Sequence, residues 1–78
     1  MKITIENLTR NQAKYAISYI SNKIGFVATR INNDFYTHGG NIAAEATSRD
    51  DSDSYDLKLY SDYYSELSLR EYLPKKYR

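Results

Sequence analysis

Residues 1–6 alternate, with Ile3 and Ile5 on one side and Lys2, Thr4 and Glu6 on the other. A period of two predicts a half-buried strand. The period then changes. Ala13, Ala16, Ile17, Ile20 and Ile24 fall within about a third of a helix circumference at 100° per residue, which predicts an amphipathic helix over about 10–24. Both ends of that helix are signalled. Thr9 and Gln12 have the spacing of a capping box, and Leu8 and Ala13 that of a small hydrophobic staple. Gly25 is placed to take the left-handed conformation that ends a helix. Tyr15 and Tyr19 lie off the apolar stripe, one turn apart, between Asn11 and Asn22. Either the C-terminal segment folds over them or they form a contact patch.

Strand patterns return after Gly25. Residues 26–31 (FVATRI) and 35–37 (FYT) flank Asn32-Asn33-Asp34, which is turn chemistry, and so predict a hairpin. His38-Gly39-Gly40-Asn41 is the strongest break in the chain. Residues 42–47 read as a strand with Ile42, Ala44 and Ala46 on one face, although Ala and Glu also favour helix. A polar loop spans 48–54, and Tyr55 to Tyr60 alternates with Tyr55, Leu57 and Leu59 inward. In the tail, Ser68 and Glu71 repeat the capping-box spacing. They favour a short helix at about 69–73 stopped by Pro74, with one helix over 62–73 as the alternative. Residues 75–78 are expected to fray. The pattern predicts a single α+β domain over 1–78: an antiparallel sheet of 3–4 strands, one helix packed on it and a short C-terminal helix, in the order β-α-β-β-β-α. The α-β-β-β-α portion resembles double-stranded-RNA-binding domains in element order only, since no lysine lies between Ser61 and Leu67 to meet phosphate.

Composition tightens this picture. The larger aliphatics, Phe and Met number seventeen among 78 residues, close to the lower limit for an ordered domain. Nine tyrosines therefore have packing to do, or a second copy of the chain completes the core as a homodimer. With no cysteine there is no disulfide, and with one histidine, His38, no cluster of His ligands. No apolar run approaches a membrane span and residues 1–6 carry no signal-peptide core, so a soluble cytoplasmic protein is expected, in host cytoplasm if phage-encoded.

The net charge of +1 hides segregation: +4 over residues 1–31, −5 over 32–63 and +2 over 64–78. The acidic block centres on DDSDSYD, residues 50–56. As a calcium loop begun at Asp51 it places Tyr55, Asp56 and Asp62 where a ligand, Gly and Glu are needed, so no metal or other cofactor is expected. Four close aspartates exceed what a turn requires. They suggest an acidic contact surface, which Asp34, Glu45 and Asp62 extend. His38 has no nucleophile or acid motif beside it, and no phosphate-binding or nucleophile-elbow motif occurs, so no enzyme is expected.

The chain thus reads as a small non-enzymatic module that docks on a larger protein, as inhibitor or modulator of a nucleic-acid-handling machine. Carboxylates and aromatics would imitate nucleic acid in a basic channel. In size and composition it resembles the small accessory proteins of bacteriophages. The expected contact residues are Asp50, Asp51, Asp53, Tyr55, Asp56 and Tyr60, with Tyr15 and Tyr19 as a second patch. The alternative is an RNA or single-stranded DNA binder using Arg10, Lys14, Arg30, Lys75 and Lys76, against which the near-neutral charge counts.

Overall fold

The computed structural model describes residues 2–50, 53–60 and 70–77. The elements are β1 (Lys2–Leu8), α1 (Arg10–Ile24), β2 (Val27–Ile31), β3 (Asp34–Gly39), β4 (Asn41–Ser48) and β5 (Tyr55–Tyr60), followed by a 3₁₀ turn at Lys75–Tyr77. The strands form one antiparallel sheet in the order β1-β5-β4-β3-β2, with α1 across one face. The α+β class is as expected, but the sheet has five strands rather than three or four. Four strands, not three, follow the helix, because 34–39 and 41–48 both pair along most of their length.

The helix ends follow their local chemistry. Thr9 accepts the Gln12 N–H at 3.2 Å while Gln12 Oε1 accepts the Thr9 N–H at 2.9 Å, and Gly25 sits at φ 76° with its N–H on the Ser21 carbonyl. Ala13, Ala16, Ile17 and Ile20 are buried against the sheet, with Ile24 partly so. Ser21 is buried as well, its hydroxyl donating to the Ile17 carbonyl at 2.8 Å and lying 3.0 Å from Thr37 Oγ1. These mutual bonds let two hydroxyls sit in the core.

Two bulges decide which side chains reach that core. On β1 the pairing passes from Ile5↔Leu57 to Leu8↔Tyr55, and Asn7 takes φ 63°. The extra residue turns Leu8 onto the helix side with Ile3 and Ile5. On β4 the pairing passes from Thr37↔Ala44 to His38↔Ile42. The extra residue breaks the simple alternation expected there: Ala44 and Ala46 are buried under the helix, and Ile42 faces the opposite, open side. The adjoining glycines serve different ends. Gly40 takes φ 88° in the turn, whereas a Cβ on Gly39 would meet the Phe26 ring at 2.5 Å.

The single helix expected as the alternative over 62–73 lies largely on residues 61–69, outside the described part, whereas the short helix expected at about 69–73 falls within it except for residue 69. Within the described part Arg70 and Glu71 are helical, and the Leu73 N–H bonds to the Arg70 carbonyl at 3.1 Å. Of the residues expected to fray, Lys75–Tyr77 form the 3₁₀ turn, in which Lys75 and Lys76 are exposed and Tyr77 packs inward. Leu73 is fully buried, and Tyr72 and Tyr77 lie against the core. Together with buried Tyr55, these rings do part of the packing that the scarce aliphatics leave undone.

Candidate interaction surfaces

The acidic loop is less free than its sequence suggests. Asp53 Oδ1 accepts the Arg10 N–H at 3.1 Å, so this carboxylate caps the start of α1. Arg49, immediately before DDSDSYD, reaches both oxygens of Asp56 at 2.9 Å and lies 3.7 Å from Glu6. Tyr55 is 2% exposed and its hydroxyl donates to the Asn33 carbonyl at 2.8 Å. As the alternation Tyr55-Leu57-Leu59 requires, it belongs to the core and offers no contact surface. Asp50 is exposed in the turn at φ 53°, and Asp51 lies outside the described residues. The loop therefore works in part for the fold.

Two tyrosines, Tyr36 and Tyr60, lie with Asp34 and Glu45 on the open face of the sheet. Tyr36 pairs with Glu45, and Glu45 with Lys58, across β3, β4 and β5. The Tyr60 hydroxyl donates to Glu45 Oε1. That hydrogen bond, then burial and the Glu45 charge, push the Tyr60 phenol up to about 12. Burial first, and then the charges of Asp34 and Glu45, raise Tyr36. Asp34 is itself fixed, accepting the Ser48 N–H at 2.9 Å. Beside this row lie exposed Ile42 and His38, and Val27 at 65% exposure, opposite His38 on β2. No described element covers this face. Tyr60 was expected as a contact residue. Tyr36, Val27 and Ile42 were missed, because only the register and the β4 bulge reveal that they share a face.

Tyr15 and Tyr19 are neighbours, with ring centroids 6.3 Å apart. Tyr15 is 56% exposed and shares a shallow concavity with Pro74, Lys75 and Lys76, while Lys23 Nζ lies 5.5 Å from the Tyr19 centroid. The C-terminal segment thus reaches the edge of this pair without burying Tyr15.

The residues of the nucleic-acid alternative divide. Arg10, Lys14 and Arg30 come together along an open groove of about 530 Å³ between α1 and β2, with Ser18 and Phe35 in its wall. The Arg10 guanidinium carbon lies 5.9 Å from the Phe35 centroid, and Arg30 Nε donates to the Asn32 carbonyl at 2.9 Å. Lys75 and Lys76 do not join them but flank Tyr15.

Among the described residues, no three His, Asp or Glu converge as a metal site, and no helix is long and apolar enough to cross a membrane. Compared with protein-family models, with curated proteins and with solved structures, the chain matches none.

Proposed function

We propose that this chain is a small, non-enzymatic binding module that docks on a larger protein through the open face of its sheet. The observation that carries this reading is the Tyr36–Glu45–Tyr60 row beside exposed Val27 and Ile42, on a face that no described element covers. The Tyr60 ring, held at its hydroxyl by Glu45, presents fixed amphipathic area at little cost in side-chain entropy. Glu45 and Asp34 suit a partner with basic residues, including one that handles nucleic acid, and an inhibitor or modulator role follows from occupying that basic surface. The expected docking surface thereby moves from the aspartate loop to the sheet.

The single-stranded nucleic-acid reading keeps one observation in its favour, the meeting of Arg10, Lys14 and Arg30. Among the described residues that line the groove, no exposed ring offers a stacking platform. The aromatic residue of that groove, Phe35, is 5% exposed and already faces Arg10.

The test is affinity capture by the tagged chain from a nuclease-treated bacterial lysate. One stoichiometric protein should be retained by the native sequence and by Asp50→Lys, and lost by Glu45→Lys/Tyr60→Ala with circular dichroism unchanged. Capture that survives the double variant, or none after nuclease, sinks the reading.

A further inference from the structure

The two edges of the sheet differ. At β1 the open-face side chains are Lys2, Thr4 and Glu6, and the bulge at Asn7 interrupts the ladder. Charges and bulges of this kind discourage a further strand. The other edge, β2, pairs with β3 in unbroken register and turns Val27, Thr29 and Ile31 to the open face, with Ile31 55% exposed. Its two-residue turn, Asn32–Asn33, makes Ile31↔Asp34 the closing pair. Alternation along an antiparallel ladder then directs the N–H and C=O of Val27 and Thr29 toward β3, and those of Ala28 and Arg30 away from it. The outward groups can form up to four hydrogen bonds with an added strand. Ala28 and Arg30 carry their side chains on the helix side, where the groove with Arg10 and Lys14 begins. No carboxylate lines that groove among the described residues. Asp53 meets the backbone of Arg10 rather than the groove.

We infer that β2 and the groove beside it bind an extended acidic peptide segment of a partner protein by strand addition. A strand laid on β2 sends alternate side chains to the two faces of the sheet. One set meets Arg10, Lys14 and Arg30 and is acidic. The other set lies beside Val27 and Ile31 and is apolar. The occupant is thus an acidic–apolar alternating segment. A second copy of this chain paired through β2 would bring two such cation clusters together, and charge disfavours it. This inference does not depend on the tyrosine–carboxylate face.

The experiment uses the full ¹⁵N-labelled chain and four labelled probes: a short peptide alternating glutamate and valine, the same residues in two blocks, a lysine–valine alternating peptide, and an oligothymidylate. The expected result is binding of the first probe, with slowed hydrogen exchange at the Ala28 and Arg30 amides and little change at Thr29, whose amide already faces β3. Lys14→Glu/Arg30→Glu should weaken binding by about tenfold. Ala28→Pro should weaken it too while the Thr29 amide stays protected, since proline is tolerated where the N–H points off an edge. Equal binding of the block peptide or the oligothymidylate overturns the inference in favour of undirected charge attraction or nucleic acid. No binding by any probe, or binding that leaves the Ala28 and Arg30 amides exchanging freely, overturns it outright. Sedimentation as a dimer whose Ala28 and Arg30 amides are protected without peptide assigns the edge to a second copy and overturns it as well. If a variant does not fold, the exchange pattern of the native chain decides alone.

Discussion

Asp53 is the residue whose role changes most between chain and fold. In sequence it is one of four aspartates in a polar stretch. In space its carboxylate holds the first backbone N–H of the helix. Asp53→Ala should lower stability by about 0.5–1 kcal/mol, read as a lower urea midpoint at unchanged slope. An unchanged midpoint would return Asp53 to the solvated loop. Charge reversal across the whole cluster is consequently not neutral to folding, because Asp53 and Asp56 both hold structural partners. Tyr60 gives a pH signature. Its phenol rises from 10.0 to about 12 in the fold, first through the bond to Glu45. The folded chain therefore binds the proton more tightly than the unfolded chain. This contribution is fully present below about pH 10 and is lost as pH rises toward about 12. Urea midpoints should fall across that window, and fall less in Tyr60→Phe. An equal fall in both proteins would mean that Tyr60 does not carry the effect.

At the scale of elements, the clearest dependence is that of the C-terminal segment on Leu73. The side chain is fully buried although Pro74 follows it and no long helix contains it among the described residues. Leu73→Ala should cost about 2–5 kcal/mol, and should speed proteolysis within the last residues of the chain. A change under about 0.5 kcal/mol would show that this segment is not part of the cooperative unit. Sequence legibility also divides by element. The helix was readable to the residue, since Thr9, Gln12 and Gly25 act locally on its ends. Each strand was readable as a stretch. Their order in the sheet and the two bulges were not, because pairing joins residues far apart in the chain. Ile42 shows the consequence: simple alternation groups it with Ala44 and Ala46, and one inserted residue moves it to the other face. Tyr55 shows the converse. Its alternation with Leu57 and Leu59 already placed it inward, which excludes a contact role.

For the whole molecule, the segregated charge takes on a geometry that the sequence could only suggest. Arg10, Lys14 and Arg30, three of the five cations of residues 1–31, meet between α1 and β2, while Asp34 and Glu45 join Tyr36 and Tyr60 on the opposite face of the sheet. One small sheet thus offers two unlike surfaces, and the thin aliphatic core is completed by tyrosines from β5 and the C-terminal segment. Docking through the open face is the central claim, and site-specific photo-crosslinking tests it most directly. A benzophenone side chain would replace Thr4 or Ile42 on the open face, or Asn22 on the outer surface of α1, in the otherwise native chain. After irradiation in a nuclease-treated lysate, adducts to one protein from positions 4 and 42, and none from 22, are predicted. Adducts confined to position 22, or none at all, would contradict the account.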